Sequence, residues 1–300
     1  MTLIDDYLKR EYVAAREVVH PISLYEIPVS SADGKTKDIL ARRKGKVTLV
    51  FNVAAGCGNI PQHGVIEQLN QRYKNELNFD IIAIVVDDFQ CHGYKEFQDG
   101  IASYCRVNGL DMSVGEFAKE YAEENFGTTF EFSELTNSRI DKVSYASDFV
   151  PNTEITQTQN ALWYYLTESY KATLNEFGVP YTGEVVPWSD GKEVVPSGAI
   201  SASPITGNFT KFLIDSTGTK TKRYANGFLL GERDITGEMY PWLNEKFLEN
   251  GEKDWRPLTG LREDGQSWVD PIMKEKGVDL SLDLISGDID EYLGLINNQE

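Results

Sequence analysis

Basic residues, histidine and cysteine are all scarce in this sequence. Lys and Arg number 29 against 47 Asp and Glu, leaving a formal net charge of −18 over 300 residues. Phosphate contacts need a basic face, so the balance argues against nucleic acid as a partner, and against an anionic membrane surface. The three histidines (His20, His63, His92) and three cysteines (Cys57, Cys91, Cys105) show no C-x-x-C or H-x-x-x-H spacing, so no zinc or other metal site is expected. An odd, dispersed cysteine set is not a secreted disulfide framework and fits a reducing, cytoplasmic setting. No apolar run approaches the roughly 20 residues that cross a bilayer. The opening MTLIDDYLKREYVAAREV mixes charges at helical spacing and has no signal-peptide core.

What is present is enough apolar material, 41% of residues, for a large core. KVTLVFNVAA and FDIIAIVV are nearly continuous β-branched and apolar runs, the pattern of strands buried on both faces. Between them Val65, Ile66, Leu69 and Tyr73 recur at helical intervals, which makes a βαβ unit with a parallel strand pair. The spacing of Ile4, Tyr7, Leu8 and Tyr12 predicts a helix over 3–18. LYEIPV and KDIL read as short strands around a turn at Asp33–Gly34. VGEFAKEYAEENFG predicts a helix stopped by Gly127, and NALWYYLTESYKATLNEFG one ending at Gly178. Residues 179–207 read as an extended loop. NFTKFLIDSTGTKTKRYAN is a hairpin about Thr217–Gly218, and EMYPWLNEKFLEN a closing helix. From Gly251 the pattern weakens, with Val278, Leu280 and Leu282 alternating as in a strand.

NVAAGCGNIPQHG places Cys57 between two glycines, where the first buried strand hands over to a helix. A thiol there meets unpaired backbone N–H groups and the positive helix end, both of which favour the reactive thiolate. The other reading is a buried cysteine acting as a small hydrophobe. His63, after the Pro–Gln pair, reads as a solvent-facing helix residue.

Five stretches in the same order resemble the glutathione peroxidase family. KGKVTLVFNVAAGCGNIPQHGVIEQLNQRYKN is similar to the segment that carries the family's reactive Cys or selenocysteine. LYEIPVSSADGKT is similar to the opening hairpin and FDIIAIVVDDF to the second strand. YAEENFGTTFEFSEL and QNALWYYL match later segments, and NFTKFLIDSTGTKTKRYA the family's Asn-Phe-Thr-Lys hairpin. The resemblance spans roughly residues 20–248, interrupted near 91–114 and 180–205. It implies an α/β, thioredoxin-like fold with a central mixed β-sheet flanked by helices. The expected organisation is a helical extension at 1–19, the fold domain at 20–250 and an acidic extension at 251–300.

The resemblance also implies chemistry. Cys57 takes the place of the nucleophile that attacks a hydroperoxide, becomes a sulfenic acid and is returned by glutathione or thioredoxin. No cofactor is implied. The family surrounds that sulfur with Gln, Trp and Asn donors. Here Asn208 keeps the Asn position, Gly207 replaces the Trp, and Asp88 aligns with the Gln. A carboxylate there accepts instead of donating, and a like charge within roughly 4–6 Å raises a thiol pKa. Gln90 is the candidate replacement for the lost amide, and Trp163 or Trp188 for the lost indole. The family's resolving cysteine corresponds to Ala122, which leaves Cys91 and Cys105 as candidates.

Two functions follow. One is a thiol peroxidase weakened by its altered donors. The other is an inactive scaffold, a structural subunit of a larger assembly such as a viral particle, with protein partners engaged by the front helix and the acidic tail.

Overall fold

In the computed structural model the described residues are 17–54, 60, 62–88, 105–138, 159–168, 205, 207–224 and 278–295. Six strands form one sheet: β1 (Glu17–Val19), β2 (Val47–Val53), β3 (Phe79–Val85), β4 (Glu131–Phe132), β5 (Lys211–Ile214) and β6 (Lys220–Tyr224), in the order β1-β6-β5-β2-β3-β4. The helices are α1 (Gln62–Arg72), α2 (Val114–Phe126), α3 (Ala161–Leu166) and α4 (Val278–Leu293).

β2 is buried along its whole length. It runs parallel to β3, with Leu49 opposite Ile81, and antiparallel to β5, with Phe51 opposite Lys211. Successive side chains of a strand point to opposite faces, and here both faces are covered, which is why the sequence reads as unbroken apolar runs. Leu49, Phe51, Val53, Ile81 and Leu213 face a core completed by α1, α2 and α4. Val50, Ile82, Ile84, Phe212 and Ile214 face Leu24, Tyr25, Ile39, Leu40 and the residues of α3. A parallel β2-α1-β3 unit beside an antiparallel β5-β6 hairpin, closed by a final helix, is the thioredoxin-like arrangement.

The caps and turns follow from named residues. Ser113 and Glu116 form a reciprocal capping box at the start of α2. Gly127 ends that helix in the left-handed region at φ 64°, where glycine has no Cβ penalty. Gly218, at φ 76°, turns the β5-β6 hairpin against Tyr25. A Cβ on it would lie 2.4 Å from Ser23 Oγ and 2.6 Å from a Tyr25 ring carbon.

Several expectations are corrected. Glu17–Val19, expected as the end of the front helix, is edge strand β1, with Val18 opposite Thr221 of β6; residues 1–16 lie outside the described residues. The turn at Asp33–Gly34 is present, but its flanks are a 3-10 turn (Leu24–Glu26) and the single bridges Val29–Asp38 and Ser31–Ser133. Pro28 has no N–H to give to a ladder. The helix expected to run to Gly178 stops after Leu166. The Thr167 hydroxyl donates back to Trp163 O, and Glu168 takes φ 55°. The strand expected at Val278–Leu282 is the start of α4, and the described part of the acidic extension is therefore a core helix. Leu282, Ile285 and Ile289 enter the same core as β2, because their spacing of three and four residues puts them on one helix face. The closing helix expected at EMYPWLNEKFLEN lies outside the described residues.

α4 is held to the sheet by buried charge. Lys222 Nζ lies 2.6 Å from Asp288 Oδ1 and 2.7 Å from Glu291 Oε2, and Tyr224 donates to Asp288 Oδ2 at 2.7 Å. Burial works against the Lys222 ammonium, but the hydrogen bonds to Asp288 and Glu291 outweigh it and raise its pKa. On the α1 side, Arg72 and Tyr73 donate to Asp283, Ser286 and Asp290.

Candidate functional site

The carboxyl ends of β2 and β3, the amino end of α1 and the amino end of β5 all lie at one end of the sheet. In open α/β sheets this end is where ligands bind. Of the residues picked out from sequence, Asn208, Asp88, Cys105 and Trp163 are described. Cys57, Gln90, Cys91 and Trp188 lie outside the described residues.

Asn208 sits at this end in a loop that Asn52 holds from β2. Asn52 Nδ2 donates to Gly207 O at 3.2 Å and to Asn208 Oδ1 at 3.3 Å, and Asn52 Oδ1 accepts from Thr210 N at 2.9 Å. Between these contacts Phe209 adopts φ 69° and donates its N–H to Asn52 O at 2.7 Å. A bulky residue in the left-handed region is uncommon and persists only where its surroundings over-determine it. Here those surroundings are the backbone and side chain of Asn52 and the stacked ring of Phe51, 5.7 Å from Phe209 between centroids.

Asp88 lies on the other side of β2, buried, after the end of β3. Its Oδ2 accepts from Ser138 N at 2.6 Å and from Ser138 Oγ at 2.7 Å. The carboxylate therefore fastens the segment that follows β4, which in turn receives Gln159 Nε2 on Ser138 O at 2.9 Å. Trp163, the candidate replacement for the indole, is buried on the sheet face that carries Val50, Ile82 and Phe212, and its Nε1 donates to Thr136 Oγ1 at 2.9 Å.

The amino end of α1 carries two residues whose role the sequence reading missed or reversed. Gln62 is fully buried and accepts a hydrogen bond from the ammonium of Lys211, itself fully buried on β5. His63, expected to face solvent, is 1% exposed. Its imidazole lies among Phe51, Phe126, Phe130, Phe132 and Phe209. Its Nδ1 is buried without a partner, and burial lowers its pKa to about 3. One signal was readable: Asn52 and Lys211 are polar residues inside otherwise apolar strand runs, and buried polar groups must be paired. The aromatic cage around His63 was not readable, because it is assembled from segments far apart in sequence.

Cys105 is buried, and burial followed by the nearby charge of Asp87 raises its thiol pKa. A thiol so placed is a poor thiolate. Among the described residues no cluster of three or more His, Cys, Asp or Glu is arranged to hold a metal ion. None of their helices is long and apolar enough to cross a membrane.

No protein-family model matches the chain. It is 25% identical over 203 residues to the glutathione peroxidase homolog BsaA of Staphylococcus epidermidis, covering 68% of this chain and 89% of that protein. It is 28% identical over 143 residues to the glutathione peroxidase-like peroxiredoxin GPX5 of Chlamydomonas reinhardtii, covering 48% of this chain and 72% of that one. Over 67 residues, 22% of this chain and 39% of the relative, it is 42% identical to the glutathione peroxidase-like peroxiredoxin HYR1 of Saccharomyces cerevisiae. Over these stretches the chain is similar to glutathione peroxidase homologs. Among solved structures, T. cruzi GPX1 is similar at 19% identity over 74% of this chain and 97% of that one, with a TM-score of 0.38. Within this glutathione peroxidase-like framework, Asn208 and Asp88 flank the strand that leads to Cys57.

Proposed function

We propose that this chain is a thiol peroxidase of low activity that reduces hydroperoxides through Cys57. The thiolate sulfur attacks the outer oxygen of the O–O bond and the bond breaks. Cys57 becomes a sulfenic acid, and the leaving alkoxide takes a proton to give an alcohol, or water from hydrogen peroxide. Two equivalents of an external thiol, glutathione or a thioredoxin dithiol, then reduce the sulfenic acid, releasing water and a disulfide. The observation that carries the proposal is the Asn208 loop, clamped by Asn52 at the end of the strand that precedes Cys57. A preorganised donor is what stabilises developing charge at the reacting atoms. Burial and the raised pKa of Cys105 favour an external thiol over Cys105 as the resolving group.

The proposed weakness rests on two altered donors: Gly207 supplies no indole, and Asp88 supplies an acceptor. Those same changes favour a second reading, an inactive fold kept as the scaffold of a larger assembly. Asp88 engaged with Ser138 and Trp163 engaged with Thr136 both serve the framework.

Trapping of the sulfenic acid separates the two. Purified protein is exposed to stoichiometric hydrogen peroxide, or to a lipid hydroperoxide, and labelled with a dimedone-type probe, with Cys57→Ser as control. Labelling much faster than that of a free thiol, lost in Cys57→Ser, is expected. Labelling no faster than a free thiol would retire the peroxidase and leave the scaffold.

A further inference from the structure

The sense of the Asn208 side chain is set by its neighbours. Asn52 meets two backbone groups whose roles are fixed: Thr210 N–H donates to Oδ1 and Gly207 C=O accepts from Nδ2. A backbone N–H cannot accept and a carbonyl oxygen cannot donate, so the Asn52 amide has one allowed orientation. The group it turns towards Asn208 is therefore its N–H2 donor. That donor requires an acceptor, and the 3.3 Å contact is made by Asn208 Oδ1. With its oxygen turned to Asn52, Asn208 points its own N–H2 group away from Asn52.

We infer that Asn52 is a positioning residue that makes Asn208 present a hydrogen-bond donor, in place of an acceptor, at the carboxyl end of β2. The inference rests on the proposed reading of Cys57 as the reacting thiol. Asn52 sits inside a buried strand and touches no substrate in this scheme; it acts through Asn208. Its three side-chain contacts all go to residues 207–210. Asn52 N–H and C=O pair with Thr210 and Phe209 in the same segment. The left-handed Phe209 is the local cost of folding the loop back onto Asn52.

The test is the pH profile of Cys57 alkylation by iodoacetamide, which reads thiolate formation and needs no peroxidase turnover. Asn52→Leu, close in size and uncharged, removes the donor that fixes the sense of the Asn208 amide. Asn208→Leu removes the Asn208 donor directly, again without adding charge. Each is expected to raise the apparent pKa of Cys57 by about one unit, with the double variant no further shifted than either single. A folded Asn52→Leu protein with an unchanged profile, or shifts that simply add, would overturn the inference.

If Asn52→Leu fails to fold, the wild type carries the test. The Asn208 side-chain N–H2 resonances, assigned by their loss in Asn208→Leu, should move with the Cys57 titration. Resonances that ignore it would overturn the inference. A thiol that titrates as expected but gives no sulfenic acid would end the peroxidase proposal and leave this inference standing.

Discussion

The imidazole of His63 meets the ring of Phe209 edge-on, 5.0 Å between centroids, and is enclosed by four further phenylalanines. The same contact places the first turn of α1 against the strained residue beside Asn208, so the aromatic cage and the candidate site share a wall.

His63 makes a pH prediction. Its folded pKa of about 3 lies below the ordinary value of 6.5. Below pH 6.5 the unfolded chain therefore binds a proton that the folded one refuses. The stability this group supplies is complete above pH 6.5 and is lost as pH falls towards 3, at about 1.4 kcal/mol per unit. His63→Phe removes the linkage and the unpaired Nδ1. In urea denaturation the drop in stability from pH 7.5 to pH 5.0 should be about 2 kcal/mol smaller in the variant. Equal drops would show that His63 titrates in the folded protein.

Lys222 makes a second. Lys222→Met leaves Asp288 buried without its cation, which costs about 3 kcal/mol. Pairing it with Asp288→Leu should recover much of that loss. Because the Lys222 pKa is raised on folding, its contribution is fully present below the ordinary lysine range and fades only as pH climbs above it. Thermal denaturation of the single and double variants at pH 7.5 checks the ordering, and a single variant as stable as wild type would contradict it.

A third prediction concerns Asp88. Asp88→Asn keeps an acceptor for Ser138 N–H but removes the negative charge on that side of β2. The apparent pKa of Cys57 should fall by about one unit, speeding alkylation at pH 6.5 up to about tenfold. The lost charge on the Ser138 hydrogen bonds should cost about 1–2 kcal/mol of stability. An unchanged alkylation profile would mean that the Asp88 charge does not reach the thiol.

The parts of this fold legible in the sequence are those whose signal is local. β2 and β3 show as apolar runs because both their faces are covered, the hairpin of β5 and β6 alternates around Gly218, and Gly127 marks the end of α2. β1 was hidden because three residues at a sheet edge are defined by their partner, β6, about 200 residues away. In α4 a short alternation at Val278, Leu280 and Leu282 overlies the helical spacing of Leu282, Ile285 and Ile289, and tertiary burial selects the second. At the site, Asn208 and Asp88 were located by their place in a motif. The work each side chain does was not, since Ser138 lies 50 residues from Asp88 and Asn52 lies 156 from Asn208.

The position of α4 along the chain has a consequence for synthesis. The Tyr73 hydroxyl on the α1 side of the core reaches Asp290, 217 residues later. At ordinary translation rates that interval is on the order of 10–40 s. Throughout it, the apolar flank that Leu282, Ile285 and Ile289 cover in the finished protein has emerged without its lid. A newborn chain is therefore at its stickiest long after β2 and β3 have left the ribosome, and this interval is when a chaperone has most to shield.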